Sequence, residues 1–375
     1  VRKAFKYPLY PTKSQSLALD TMLETHRHLY NRALAERRDA YQQEQRTVRY
    51  GEQSAALKEQ RVANPYLAMT NFSSCQATLR RLDRAFHAFF RRVKAGEKPG
   101  YPRFKGKDRF DTVEFPSHGD GCKLAGDRVY CQHVGSVKVK RHRLTEGAIK
   151  TLSFKREAGH WYLIASCDLG DAPAVRSTTR TVGIDLGLKA FLTTSEGEQV
   201  APPKFYRKAQ ATVRRAQRHL SRCQDGSNRR KKAKQRVARL HQHVAHQRRD
   251  WQHKVALRLV ARYDLIAHES LTTKGLARTR LAKSIYDAGW TQFLGILTHK
   301  AEGAGVTVVA VDARNTTQLC SGCGALPLVP LTLRDRWYHC ATCSLSLDRD
   351  SNAALNIQRL GCSRQSVTST MVGVG

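Results

Sequence analysis

Hydrophobic positions alternate through residues 3–11, KAFKYPLYP, where Phe5, Tyr7 and Leu9 share one face of a short strand that Pro11 closes. The period then lengthens to three and four. Residues 13–45 carry Leu19, Met22, Leu23, His26, Leu29, Tyr30, Ala33 and Leu34 on one stripe, which predicts a long amphipathic helix, and a second helical pattern runs from about 52 to 62. A third, 71–95, aligns Phe72, Cys75, Leu79, Leu82, Ala85, Phe86, Phe89 and Phe90. This aromatic stripe is assigned to the core rather than to base stacking, while Arg80, Arg81, Arg84, Arg91 and Arg92 between its members can reach phosphates. KPGYPRFKGKDR (98–109) ends the helix with proline, glycine and charge. The short runs TVEF, RVYC, SVKVK, IKTLSF and WYLIASCDL, spread over 110–168, predict a small β-barrel that the first strand completes.

GDAPAVRST (170–178) reads as a linker, and after it strands and helices mix. TVGIDLGLKAFLTTSEGEQV predicts a meander of two or three strands turning at Gly187 and at Glu196-Gly197. Two helical patterns flank the turn QDGSN, with Val213, Ala216 and Leu220 facing one way on the first, and Val237, Leu240 and Val244 on the second. YDLIAHES (263–270) and GVTVVAVD (305–312) read as strands, 285–304 and 351–360 as helices, and VTSTMVGVG (367–375) as a disordered tail.

Charge narrows the class. The 375 residues hold 65 Lys+Arg against 31 Asp+Glu, a net charge of +34 that opposes compaction by self-repulsion. A polyanion is the simplest compensating partner, nucleic acid first. The excess is concentrated in 204–254, where 17 Lys+Arg, including Arg229, Arg230, Lys231 and Lys232, face only Asp225 and Asp250. A helical hairpin lying along phosphates fits that bias. No run of 18 apolar residues and no signal-peptide pattern occurs, so the expectation is a cytoplasmic, nucleoid-associated protein without a membrane partner.

Ten cysteines divide unevenly. Cys320-x-x-Cys323 and Cys340-x-x-Cys343, with sixteen residues between the pairs, have the spacing of a zinc ribbon, whereas Cys75, Cys122, Cys131, Cys167, Cys223 and Cys362 are scattered. Four thiolates leave Zn2+ no open position, which makes such a site structural. Acidic residues are scarce and oddly placed. Asp185 ends the apolar run VGID, Glu269 ends LIAHE, and Asp348 and Asp350 open the last helix. Each alone reads equally as a turn or helix cap. Together, acids from two strand ends and a helix start suit a pair of divalent ions for phosphodiester hydrolysis.

GIDLGLKAFLTT, HESLTTKGL with RLAKSIYDAGWTQFLGILTHKA, and CSGC…CATCSLSLDRDSNAALNI resemble the three RuvC-type motifs and the zinc ribbon of the TnpB family, transposon-encoded RNA-guided nucleases related to type V CRISPR effectors. LYPTKSQ, YNRALAERRDAY and GYPRFK resemble the family's N-terminal half, so the likeness spans nearly the whole chain. It implies a multidomain α+β protein. A wedge-like β-barrel would occupy 1–10 and 96–175, and a helical recognition lobe 11–95. An RNase H-like (RuvC) α/β nuclease domain would occupy 176–317 and 344–375, with the basic hairpin at 204–262 and the zinc ribbon inserted at 318–343. By motif position it implies a catalytic triad of Asp185, Glu269 and Asp350 holding two Mg2+ ions, with Mn2+ as an alternative, and leaves Asp348 to local capping. Arg314 and Asn352 are implied neighbours, and Tyr50, Ser54 and Gln76, with Arg80 and Arg84 nearby, fall where the family reads a short DNA motif. The implied partners are one guide RNA from the transposon end per protein, and double-stranded target DNA.

Three rivals stay open. A nuclease-inactive relative would bind guided DNA as a repressor, although all three acids are present. An actin-like ATPase shares GIDLG, but Leu188 and Lys189 stand where that family has Thr or Ser. A DNA-strand transferase would call for a Tyr or Ser nucleophile with a clear helper.

Overall fold

A computed structural model describes the backbone of residues 1–271, 273–276, 278–332 and 334–372, and the side chains of all of these except 274 and 365–372. The chain divides into two compact units, Val1–Gly170 and Asp171–Gly375.

The first unit runs β1 (Arg2–Tyr10), α1 (Lys13–Glu44), α2 (Tyr50–Ala63), α3 (Pro65–Ala68), α4 (Phe72–Lys94), β2 (Thr112–Phe115), β3 (Cys122–Ala125), β4 (Arg128–Cys131), β5 (Gly135–Val139), β6 (Ala148–Glu157) and β7 (His160–Asp168). Thr12 starts α1 with a capping box: its hydroxyl accepts from Gln15 N, and its own N–H donates to Gln15 Oε1. The seven strands form one antiparallel sheet in the order β2-β6-β7-β1-β5-β4-β3, so the first strand lies in its middle. The order leaves β2 and β3 at opposite edges, a partly barrel-like sheet. The strand β3 escapes pattern reading because CKLA offers only Cys122 and Leu124 to alternate. Pairing β3 with β4 sets Cys122 opposite Cys131, which the sequence spacing gave no reason to couple.

Every member of the α1 stripe is buried, and one core joins the helices to the sheet. Its polar exception, His26, is held by Met22 O (2.7 Å) and Ser74 Oγ (2.9 Å). Burial drives its imidazole down to about 4. The α4 stripe behaves as core only as far as Leu82. Phe86 is half-buried at the core's edge and also meets Phe90 and Tyr101, whereas Phe89 and Phe90 pack against one another, with Phe89 against Tyr101, and Phe90 is exposed.

The second unit contains β8 (Thr181–Asp185), β9 (Leu192–Thr194), β10 (Gln199–Val200), α5 (Phe205–Ser221), α6 (Asn228–Arg262), β11 (Leu265–Glu269), α7 (Thr273–Leu276), α8 (Ala282–Ala288), α9 (Trp290–Glu302), β12 (Thr307–Val311), β13 (Trp337–His339), β14 (Ser346–Asp348) and α10 (Arg349–Val372). Its main sheet has the order β10-β9-β8-β11-β12, with β8, β11 and β12 parallel and the β8–β9–β10 meander antiparallel. The single helix expected at 285–304 is two, because Gly289 takes φ 66° between α8 and α9, a left-handed conformation that suits glycine. The last helix is longer than expected; of the expected disordered tail, residues 373–375 and all the side chains lie outside the described residues.

Strand alternation explains the layering. Ile266 of β11 faces the cluster formed with Val255, Leu259, Phe293 and Leu297 of α6 and α9, while Leu265 and Ala267 face Ile357 of α10. The central strands are buried on both sides, as parallel strands between helices must be. Among the described residues no helix is long and apolar enough to cross a membrane.

Candidate functional site

Two carboxylates emerge together from the sheet. Ile184 pairs with His268 across β8 and β11, and the next residue on each strand is Asp185 or Glu269. Adjacent strands lie about 4.8 Å apart, so these acids leave side by side at the C-terminal strand ends. There, open α/β sheets place their ligands.

The third acid arrives on α10. Gly183 lets that helix approach β8 closely: a Cβ there would stand 2.0 Å from Ala354 O and 2.5 Å from Gln358 N. Gln358 fixes the register, its Nε2 donating to Thr181 O (2.9 Å) and Thr181 Oγ1 (2.8 Å). Asp350 sits in the first turn of α10, with its carboxylate accepting from Arg349 at 3.3 Å. Asp348 Oδ1 caps the same turn, accepting from Asp350 N (3.0 Å) and Ser351 N (3.2 Å).

The electrostatics tie the three acids together. Burial, and then the charges of Glu269 and Asp350, push Asp185 up to about 8, against the opposing pull of Arg349. Burial also raises Glu269, with the Thr316 hydroxyl that donates to its Oε1 working the other way. Three hard oxygen donors facing one another's charge in a poorly solvated place suit divalent cations, which would neutralise them.

Thr316 and Asn356, which sequence reading overlooked, hold this arrangement together with Asn352, one of the implied neighbours. Thr316 orients Glu269 and is itself 1 % exposed. Asn356 Nδ2 donates to Thr316 O (3.0 Å) and Leu319 O (2.7 Å), and Asn352 bridges Leu319 O (2.7 Å) and Ser321 N (2.9 Å). Two asparagines one helical turn apart thus stitch α10 to the chain entering the cysteine module. Their signal was present: polar residues on the apolar face of SNAALNI need partners once buried.

In that module Cys320 Sγ and Cys343 Sγ are 3.6 Å apart, and Cys323 Sγ and Cys340 Sγ are 3.5 Å apart. Tetrahedral zinc with bonds of about 2.3 Å has sulfur–sulfur edges near ~3.8 Å, so the four thiols fit it. Among the described residues these cysteines are the one group whose ligand atoms all fall within 4.8 Å of one another; the three carboxylates are spread more widely. Tyr338 of β13 is buried beside Cys320 and Cys340, the small core of the module.

The remaining expected contact residues divide. Ser54 and Gln76 are hydrogen-bonded at 3.1 Å and Arg80 lies over the Tyr50 ring at 5.4 Å, so α2 and α4 bring these four together. Arg84 is exposed and 4.0 Å from Glu114. On the basic hairpin, Arg229, Lys231 and Lys232 are exposed, whereas Arg230 is engaged at the turn by Leu220 O, Cys223 O and Asp225. Arg314, past β12, is exposed.

Comparison with known proteins agrees with this architecture. A family model described as a probable transposase (OrfB of IS605) matches residues 165–280. A Cas12f1-like TNB domain model matches 290–357, and a helix-turn-helix domain model matches 1–46, which here form β1 and the single helix α1. A Streptomyces pristinaespiralis protein, provisionally named an RNA-guided DNA endonuclease, is 34% identical over 96% of this chain and 90% of its own length. InsQ of Escherichia coli K12, which bears the same provisional description, is 27% identical over 96% of this chain and 92% of its own. In fold, the chain resembles Cas12f1 solved with sgRNA and target DNA (TM-score 0.61, 14% identity, 92% of this chain and 83% of that one). It also resembles the mini-RNA-guided endonuclease Cas-phi3 (TM-score 0.52, 8% identity, 96% and 92%).

Proposed function

The chain belongs to the TnpB family, and from that premise we propose that it is an RNA-guided DNA endonuclease whose nuclease domain is of the RNase H-like, RuvC type. The observation that carries the proposal is the adjacency of Asp185 and Glu269 at the paired ends of β8 and β11, with Asp350 in the first turn of α10, the helix that packs closely on β8.

Asp185, Glu269 and Asp350 are the residues that would hold two divalent ions, Mg2+ or Mn2+. Bound there, such ions lower the pKa of water and neutralise charge on the leaving oxygen. The protein's own residues supply the rest. Thr316 fixes the Glu269 carboxylate, Asp348 and the two asparagines hold the first turn of α10, and Arg349 balances part of the acidic field. The cysteine module, held by Zn2+, anchors the segment that delivers Asp350. A guide RNA from the transposon end would supply sequence choice by base pairing, one per protein. The basic hairpin would hold RNA or heteroduplex, and the Tyr50, Ser54, Gln76 and Arg80 cluster would read the short flanking motif in double-stranded DNA.

Sequencing the RNA that copurifies with the protein, followed by incubation with a matched plasmid in Mg2+, tests the reading. A single transposon-end transcript and linearised plasmid are expected, with cutting abolished but binding kept in Asp185→Ala. Binding without cutting by the native chain transfers the case to a guided repressor.

A further inference from the structure

The cysteine module presents a tryptophan that neither the zinc site nor the acidic cluster uses. Trp337 is 61 % exposed, yet it is not loose: its indole Nε1–H donates to Ser346 Oγ at 2.7 Å across the β13–β14 pair. That bond fixes the ring while leaving a large apolar surface open. Buried indoles serve as core and exposed mobile ones are common; an exposed indole tied down by its polar edge is preorganised to receive a flat partner.

Strand geometry says which way it faces. Trp337 pairs directly with Asp348, Tyr338 with Leu347, and His339 with Ser346. Residues directly opposite share a face, so Trp337, Ser346 and Asp348 project from one side while Tyr338 and Leu347 fill the module's core on the other. Asp348 turns its carboxylate onto the first turn of α10, and Arg349 N donates to Arg336 O at 3.0 Å. The ring therefore stands on the side of the ladder from which α10 departs. From Trp337 to Asp350 the backbone distance is at most roughly 12 Å, one antiparallel pair plus two residues. That is about three to four stacked nucleotides at ~3.4 Å each. The exposed Arg334 and Arg336 precede Trp337 by three residues and by one, and with it they combine an aromatic face with phosphate-pairing cations, the pairing that binds single-stranded nucleic acid.

We propose that Trp337 is a stacking platform for single-stranded DNA, positioning the strand a few nucleotides from the phosphate that is cut near Asp350. The proposal rests on the nuclease reading and adds to it a positioning residue with a defined ligand: one unpaired base of the substrate strand. Arg334 and Arg336 hold the adjoining phosphates without sequence preference.

A chemical double-mutant cycle tests it. Guide-loaded protein is given targets with a single abasic site moved one nucleotide at a time around the cut, under single-turnover conditions. With native protein one position should slow cutting by roughly 5- to 150-fold, the size of one lost base–aromatic stack. Trp337→Ala should slow the intact target by a similar factor, after which the same abasic site should add less than about 2-fold, since the two changes remove one interaction. Trp337→Phe should recover most of the rate, and zinc content and melting temperature should match the native chain. Cutting of the intact target by Trp337→Ala at the native rate, or multiplication of the two losses, overturns the proposal; so does a native protein indifferent to every abasic position.

A second readout separates this proposal from the nuclease reading. Of the four tryptophans, Trp161 and Trp290 are buried and Trp251 is half-buried. Quenching of intrinsic fluorescence by short single-stranded DNA should be present in the native chain and largely absent in Trp337→Phe, whether or not the protein cuts. Equal quenching in both overturns the platform; quenching lost without any guided cutting by the native chain retires the nuclease and leaves the platform standing.

Discussion

Substituting Gly183 by alanine should damage cutting out of proportion to its size. The new Cβ would be 2.0 Å from Ala354 O, 2.5 Å from Gln358 N and 3.0 Å from Gln358 Cα. All three atoms are backbone, so no side chain can rotate aside; α10 must retreat from β8 by about 1.4 Å to restore a contact of ~3.4 Å. Overpacking of this kind costs roughly 1–3 kcal/mol. For a unit of this length that lowers the melting temperature by roughly 2–12 °C. The retreat also carries Asp350 away from Asp185 and Glu269, and a displacement near 1 Å at reacting groups costs about 100-fold in rate. Two controls separate stability from placement. Gly361→Ala meets Ala267 Cβ at 2.4 Å on the same helix, three turns beyond Asp350, and should cost comparable stability with a smaller loss of rate. Gly295→Ala, within α9 and with nothing within 4 Å, should be neutral or stabilising by up to about 1 kcal/mol. The assays are thermal melting and single-turnover plasmid cleavage with guide RNA at saturating DNA. A Gly183→Ala protein that melts and cuts as the native one does would refute the close-approach reasoning.

Further outcomes follow from the same geometry. His26 is neutral in the folded state down to about 4 but takes a proton near its ordinary 6.5 when unfolded, so the unfolded chain binds more protons between those values. Stability should therefore be full above pH 6.5 and fall by about 3 kcal/mol as pH drops to 4; urea unfolding at several pH values should show that slope reduced in His26→Gln, and an unchanged slope would reject it. Asp185→Asn removes a like charge from beside Glu269 and Asp350, so in chelator-treated protein at pH 8 it should melt above the native chain while cutting nothing; equal melting temperatures would count against the coupling. Atomic absorption should find one zinc per chain in the native protein and little in Cys340→Ser, with cutting lost alongside because the cysteine module anchors the segment before Asp350.

How much of this was readable beforehand depends on the kind of signal. Periodicity located the α1 stripe and the buried central strands because burial there is repeated at many positions, as at Leu19, Leu23 and Leu34 or along LIAHE. It failed where one residue decided the outcome. Gly289 splits the helix expected at 285–304 through a single left-handed φ, and α4 stays hydrophobic beyond Phe86 although Phe89 and Phe90 meet each other and Phe89 meets Tyr101 rather than the core. For the site, residue type and motif position marked Asp185, Glu269 and Asp350, but their convergence depends on residues with no chemistry of their own. Gly183 has value only for what it omits, and Thr316, Asn352 and Asn356 matter only because α10 lies against the segment entering the cysteine module. That contact joins residues 316–321 to 352–356 and spans the whole zinc-ribbon insertion. Local sequence cannot encode it, yet it gives the insertion a physical role in the proposed site: zinc held by the four cysteines would close the loop, and the loop's Leu319 and Ser321 hold the helix that carries Asp350.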